Sequence, residues 1–250
     1  MTRIALLGLT LAACGGEIRP GTLNVYAASS LTEAFAEIER AYETLHPEVD
    51  VEVTYSGSQV LRLQIEQGAS ADVFASANVE HMQALLDADL VDESVVFAHN
   101  DLVIIVPPEN PSGIEELGDL TDAQRLVIGT ANVPVGRYAR EVLRRAAPQH
   151  EEGFEAIVMS RVVSEEANVR LARAKVELGE ADAAIVYRTD AGSADQVRVV
   201  EIARDVNVIA DYPIGVVSGT ERRAEANAWI ALVQSEEGRA ILQRHGFILE

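Results

Sequence analysis

The sequence predicts an α/β fold in which mainly parallel sheets are flanked by helices and divided between two lobes. Short runs with the period-two alternation of strands are separated by longer runs whose apolar residues recur at the three- and four-residue spacing of helices. A strand-helix-strand order makes consecutive strands parallel, because the helix carries the chain back across the sheet. The 250 residues suffice for one large domain or two modest ones, and the number of predicted strands favours two lobes.

The first part of the chain repeats a strand followed by a helix, with turn residues between them. Pro47 ends the first helix, because proline lacks the amide that would continue it. Gly68 supplies a C-cap for the second helix, and Asn78 supplies an N-cap for the third. The predicted elements are a strand at 23–26, a helix at 31–45, a strand at 51–55, a helix from 58 that ends at 68, a strand at 72–76 and a helix from 79.

The middle of the chain contains a second set of strand and helix patterns, and the C-terminal part adds one more strand and two helices. If that last part packs on the first lobe, the chain crosses between the lobes twice. We therefore expect one lobe formed by 22–100 with 208–250, and a second lobe formed by 101–207. The predicted elements are strands at 102–106, 126–129, 183–187 and 212–217, and helices after 136, at 169–178 and around 229 and 241.

Composition limits the classes of function. The chain has 20 Lys and Arg residues against 40 Asp and Glu residues, a formal charge of −20, which is the wrong sign for following a nucleic-acid backbone. Salt screens such charge over roughly 8 Å, so a recessed site is governed by its own donors and can still take an anion. The single cysteine excludes an intramolecular disulfide and a multi-cysteine metal site.

The N-terminal segment has the order of a bacterial export signal. Arg3 precedes an apolar run at 4–13, and Cys14 with two glycines follows it. The run is too short to span a bilayer as a mature helix. Leu-Ala-Ala-Cys at 11–14 resembles a lipobox, so we predict a lipoprotein signal peptide at 1–13, a lipid on Cys14 and a linker at 14–21. The mature chain would then be tethered on the periplasmic or extracellular face of a bacterial membrane. The alternative is a buried N-terminal strand with a core cysteine.

Two serines stand where a predicted strand gives way to a helix. Ser30 follows the first strand, and Ser58 follows the second. The first amides of a helix lack partners and the helix dipole is positive there, which favours an anion. The alternative is a simple N-cap, because serine is a preferred cap and Ser-Leu-Thr-Glu at 30–33 matches the capping box.

Longer motifs connect these serines to a known family. The most specific are Gln-Ile-Glu-x-Gly-Ala-x-Ala-Asp-Val-Phe at 64–74 and Val-Pro-x-Gly-x-Tyr-Ala at 133–139. The chain resembles the molybdate-binding proteins of bacterial ABC importers, and the resemblance implies a two-lobed, periplasmic-binding-protein-like fold with the ligand in the interlobe cleft. The other matching stretches, spread over nearly the whole chain after the N-terminal segment, are 26–32, 58, 168–170, 185–187, 212–213 and 245–247.

The resemblance also implies a set of ligand-binding groups. In that family two serines of the first lobe, two amides of the second lobe and a tyrosine hydroxyl hold the oxyanion. Carried over, these become the hydroxyls of Ser30 and Ser58, the amides of Val135 and Val169, and the hydroxyl of Tyr187. Valine at 135 stands where alanine is common, but a backbone amide survives that change. Neutral donors suit a fully deprotonated dianion, because a protonated oxyanion would leave a buried donor unpaired.

The implied function is capture of molybdate, or of tungstate, and delivery to an ABC permease by hinge closure. The protein would then be a monomeric binding protein and not an enzyme, with no cofactor besides its ligand and with membrane contact only through the lipid anchor. Export argues against the related ligand-sensing domains of transcription regulators.

Alternatives stay open within and beyond that class. The ligand could be another oxyanion or a small organic acid, and either serine could be the nucleophile of a hydrolase, although neither lies in a Gly-x-Ser-x-Gly elbow. Arg137 is expected at an exposed position rather than beside the ligand. Some related proteins add carboxylates to the ligand shell. Glu165, Glu166 and Asp190 lie in the corresponding region, and we expect them to be solvated surface acids.

Overall fold

The computed structural model describes residues 21–194 and 196–249. The predicted signal peptide, Cys14 and most of the predicted linker lie outside the described residues. No helix of the described part is long and apolar enough to span a bilayer. In chain order the elements are β1 (Gly21–Ala28), α1 (Thr32–Leu45), β2 (Val49–Ser56), α2 (Ser58–Glu66), β3 (Val73–Ala75), α3 (Val79–Asp87), β4 (Val91–Val106), β5 (Leu126–Gly129), α4 (Pro134–Ala146), α5 (Phe154–Ser160), β6 (Val162–Glu166), α6 (Val169–Glu177), β7 (Ala183–Tyr187), α7 (Arg188–Gly192), β8 (Arg198–Glu201), β9 (Ile209–Val217), α8 (Arg223–Gln234) and α9 (Glu236–Arg244).

The strands form two hydrogen-bonded groups that share β4. In the first lobe the order is β2-β1-β3-β9-β4, and in the second it is β4-β7-β5-β6, with β8 also paired to β4. The α/β class and the two lobes are therefore as predicted. The terminal helices α8 and α9 pack on α1 of the first lobe, where Trp229 meets Phe35 and Tyr42 in edge contacts at 5.6 and 5.5 Å between ring centroids.

The sheets are mainly parallel, as predicted, and in each lobe one strand runs against the others. The βαβ units are parallel, with β1 beside β2 and β3, and β5 beside β6 and β7. The two strands that join the lobes run in opposite directions, because one leaves the first lobe and the other returns to it. As a result β9 is antiparallel to β3, and β4 is antiparallel to β7, β8 and β9.

Strand β4 is the main connection between the lobes. It pairs with β9 as far as Asp101 and with β7 from Leu102 onward. Only its last part, 102–106, is predicted from the sequence, because two register shifts with β9 break the alternation before it. We propose that the lobes divide at this change of partner, as 22–100 with 208–250 against 101–207.

The turn signals of the first lobe act as predicted. The side chain of Asn78 accepts a hydrogen bond from the His81 amide at 3.3 Å, which caps α3. Gly68 has φ +85°, the left-handed conformation that ends α2 and that glycine adopts without strain. These ends hold the helices short, so the parallel strands β1, β2 and β3 end at the same edge of the sheet.

Candidate ligand-binding site

A cavity lies between the lobes, where the carboxyl ends of β1 and β2 face the starts of α4 and α6. It is small, with a cavity volume of about 10 Å³, close to the space that one buried water needs. None of its lining residues carries a charged side chain. All five residues predicted to bind a ligand line this one cavity: Ser30, Ser58, Val135, Val169 and Tyr187.

The first lobe contributes two buried hydroxyls. Ser30 lies in a single 3-10 turn, Ser29–Leu31, between β1 and α1, and Ser58 is the first residue of α2. The interpretation of these serines as helix caps is wrong, since neither side chain accepts a hydrogen bond from its own helix. Instead, the Ser58 hydroxyl accepts from the Ala77 amide at 3.0 Å. That bond uses one lone pair of the Ser58 oxygen and leaves the hydroxyl proton to be donated.

The second lobe contributes helix starts. Pro134 has no amide proton, so Val135 carries the first free amide of α4. The first helical hydrogen bond of α4 runs from the Arg137 amide to the Val133 carbonyl, at 2.9 Å. Val169 is the first residue of α6. The side chain of its N-cap, Asn168, accepts a hydrogen bond from the Leu171 amide and not from that of Val169. The amides of Val135 and Val169 therefore have no acceptor inside their helices, and both stand at the positive ends of helix dipoles.

Close packing fixes the start of α4. Gly136 lies against the end of β5, and a Cβ atom built at this glycine would stand 2.2 Å from the carbonyl oxygens of Gly129 and Thr130. Only glycine allows the helix to approach the strand this closely. The amide of the neighbouring Val135 is thereby held against the cavity.

Tyr187 ends β7 and presents an unpaired hydroxyl. The residue is 1% exposed, and its hydroxyl has no hydrogen-bond partner among the described residues. Burial raises the pKa of Tyr187 well above its ordinary value, so the hydroxyl is neutral and keeps its proton. An unpaired buried donor is costly, by about 1 to 3 kcal/mol, and Tyr187 lines the cavity, where a ligand could pair its hydroxyl.

Polar contacts between the lobes surround the cavity. The Arg170 guanidinium donates to the carboxylate of Glu33 at 2.6 Å, and the Gln59 amide donates to the Ala167 carbonyl at 2.8 Å. Arg137 pairs with Glu80 of the first lobe at 2.8 Å, while its side chain is 55% exposed, as predicted. The lobes are therefore closed on each other, and no cation takes part in the cavity wall itself.

The three candidate carboxylates differ in their surroundings. Glu165 accepts from Arg140 and Glu166 accepts from Ser164, and neither lines the cavity. The prediction of a surface acid is wrong for Asp190, because α7 packs inward and leaves this residue 1% exposed with both carboxylate oxygens unpaired. Within the described residues no cluster of three or more His, Cys, Asp and Glu side chains could hold a metal ion.

The arrangement has the chemistry of a binding site. Neither serine hydroxyl is hydrogen-bonded to a histidine or a carboxylate, since Ser58 meets an amide and Ser30 meets the Tyr212 hydroxyl at 2.8 Å. A serine nucleophile needs an adjacent general base. Five neutral donors from two lobes instead suit a small, fully ionised anion.

Comparison with known proteins agrees with this geometry. The family model for bacterial extracellular solute-binding proteins matches residues 23–248. The molybdate-binding protein ModA of Mycobacterium tuberculosis is 35% identical over 226 residues, which cover 89% of this chain and 83% of that protein. YvgL of Bacillus subtilis, which has a provisional name as an ABC transporter substrate-binding lipoprotein, is 32% identical over 233 residues, or 92% of this chain and 87% of that protein.

A solved structure shares the fold. The periplasmic molybdate-binding protein of Azotobacter vinelandii superposes with a TM-score of 0.78 at 17% identity, over 91% of this chain and 99% of that one. The family model covers both lobes, including every residue that lines the cavity. The chain therefore belongs to the family of bacterial extracellular solute-binding proteins.

Proposed function

We propose that this protein binds molybdate, or tungstate, and delivers it to the permease of an ABC importer. The observation that supports the proposal is that five residues with neutral donor groups, from both lobes, line one small cavity. Relatives that are named for molybdate binding align over most of the chain. The site ligands we propose are the hydroxyls of Ser30, Ser58 and Tyr187 and the amides of Val135 and Val169.

Neutral donors are enough to bind a dianion because several of them lie at the starts of helices. Helix starts carry partial positive charge, and hydrogen bonds to a charged acceptor contribute roughly 1.5 to 3 kcal/mol each. A recessed site is also shielded from the overall charge of −20. The cavity volume of about 10 Å³ lies far below the 300 to 1,000 Å³ that is typical for organic ligands, which supports a compact oxyanion over an organic acid.

The division of the site between two lobes links ligand binding to closure, and closure to delivery. Because the donors are divided between the lobes, the ligand makes more hydrogen bonds in the closed form than in the open one, so it shifts the equilibrium toward closure. Glu33 with Arg170 and Glu80 with Arg137 add contacts in the closed form. A permease could then distinguish loaded from empty protein. We further propose that the protein acts outside the cytoplasmic membrane as a monomer, held by a lipid on Cys14.

Titration calorimetry of the purified protein tests the ligand. We expect molybdate and tungstate to bind with one site per chain and hydrogen phosphate to bind at least about tenfold more weakly, because pairing its proton would cost about 1 to 3 kcal/mol. At a ligand concentration 100 times Kd, the free energy of unfolding rises by about 2.7 kcal/mol, which a thermal scan detects. A protein that ignores both metal oxyanions and responds to another solute would refute the assignment. Sulfate is also fully ionised, so the difference between its affinity and that of molybdate measures how strongly cavity size selects the ligand.

Substitution of Gly136 by alanine tests the contribution of the second lobe. The added Cβ collides with backbone carbonyls of β5, so α4 must move away and take the Val135 amide with it. We expect molybdate affinity to fall about tenfold and the free energy of unfolding to fall by about 1 to 3 kcal/mol. Gly192→Ala is the matched control, because a Cβ at Gly192 meets no atom within 4 Å. Equal affinity in the two variants would contradict the assigned amide.

A further inference from the structure

Ser30 is one end of a buried hydrogen-bond chain that reaches a residue of β9. Its hydroxyl lies 2.8 Å from the hydroxyl of Tyr212, and the two residues are 5% and 0% exposed. Geometry alone allows either oxygen to be the donor in this pair. The direction matters, because it decides whether Ser30 offers the cavity a proton or a lone pair.

The surroundings of Asn100 indicate the direction. Its side-chain nitrogen donates to the Thr189 hydroxyl at 2.8 Å and lies 3.4 Å from the Tyr212 hydroxyl, and its side-chain oxygen accepts from the Asp101 amide at 3.1 Å. That last bond fixes which end of the amide faces Tyr212. An amide nitrogen can only donate, so Ser30 is the one hydrogen-bond partner of the buried Tyr212 hydroxyl that can accept its proton, and we infer that the proton points toward Ser30.

We propose that Tyr212 and Asn100 are positioning residues that hold the Ser30 hydroxyl as a donor toward the ligand. The Ser30 oxygen accepts the Tyr212 proton, and no described residue accepts the proton of Ser30, which is therefore available to the cavity. Ser58 is held in the same way by the Ala77 amide. This inference rests on the proposed function, since it concerns the same oxyanion site.

The consequence is a cavity in which the serine hydroxyls favour donation to the ligand. Each serine oxygen keeps a second lone pair, but turning that lone pair toward a ligand proton would leave the serine's own proton unpaired, at a cost of about 1 to 3 kcal/mol. A fully ionised oxyanion satisfies every donor, whereas a protonated one brings a donor that has no acceptor. Neither Tyr212 nor Asn100 lines the cavity, yet through Ser30 they favour ionised over protonated oxyanions.

A double-mutant cycle tests the proposal. We compare wild type, Tyr212→Phe, Ser30→Ala and the double variant by calorimetry with molybdate and with hydrogen phosphate. Phenylalanine keeps the edge contacts of Tyr212 with Phe97 and Phe247 and removes only the hydroxyl. We expect Tyr212→Phe to lower molybdate affinity about tenfold and to lower the molybdate-to-phosphate affinity ratio at least as much, because Ser30 becomes free to rotate.

In the Ser30→Ala background, Tyr212→Phe should change molybdate affinity less than about twofold, since its effect passes through the serine. Additive losses, or an unchanged affinity ratio, would show that Tyr212 only packs and would overturn the proposal. Tyr42→Phe is the control: this buried tyrosine donates to the Glu225 carbonyl between α1 and α8, and its loss should leave the affinity ratio at the wild-type value. A wild type that binds no molybdate refutes the proposed function itself, which is a distinct result.

Asn100→Asp provides a second, independent variant if Tyr212→Phe does not fold. The substitution replaces the amide donor by an acceptor of the same shape, so the Tyr212 proton turns toward it and Ser30 must donate to Tyr212. Ser30 then presents a lone pair to the cavity. We expect molybdate affinity to fall by at least tenfold, with a smaller loss for hydrogen phosphate. Equal losses for the two anions would contradict the relay.

Discussion

Replacement of Tyr187 by phenylalanine is expected to weaken molybdate binding by about 10- to 100-fold while it stabilises the ligand-free protein. The lost hydrogen bond to a dianion is worth roughly 1.5 to 3 kcal/mol. Without ligand the Tyr187 hydroxyl is buried and unpaired among the described residues, so its removal should raise the free energy of unfolding by about 1 kcal/mol. Calorimetry gives the affinity, and urea unfolding gives the stability.

The opposite signs of the two effects make this prediction specific. Tyr55 is the matched control, because its hydroxyl is also buried without a partner but does not line the cavity. Tyr55→Phe should reproduce the gain in stability and leave the affinity unchanged. If Tyr187→Phe lost stability and kept its affinity, the hydroxyl would be a structural group and the site would need another donor.

Asp190 is expected to make the stability of the protein depend on pH. Burial raises the pKa of Asp190 to about 7, while Arg170 and Arg173 oppose the rise and Glu33 adds to it. A carboxyl whose folded pKa is raised binds its proton more tightly in the folded state than in the unfolded one. The free energy of unfolding therefore falls as pH rises from the ordinary value of 3.8 toward 7, and it is constant above that.

The size of this effect follows from about 1.4 kcal/mol per pH unit, or roughly 3 kcal/mol between about pH 5 and about pH 8. Asp190→Asn removes the titration, so the variant should gain about that much stability relative to wild type over the same interval. Urea unfolding of both proteins at the two pH values measures the difference, which cancels the many other carboxylates. A difference that does not change with pH would mean that Asp190 stays ionised in the folded protein.

Local patterns were sufficient for much of the fold. The strands at 126–129 and 183–187 have the predicted bounds, since each is a continuous apolar run closed by turn residues. The elements missed entirely are short or half exposed: α5, β6, α7 and β8 have seven residues or fewer. The first part of β4 was missed because its bulges disturb the alternation on which strand prediction depends.

For the site, the sequence by itself determined which groups stand at the ends of strands and the starts of helices, because those positions follow from local hydrogen bonding. Motif resemblance added the second-lobe amides and Tyr187. Only the tertiary structure decided that the five residues line one cavity, that Asp190 is buried, and that Tyr212 and Asn100 direct Ser30. Ser30 and Tyr212 are 182 residues apart in the chain. Contacts over such separations depend on the sum of all packing between elements, so no local pattern of residues contains them.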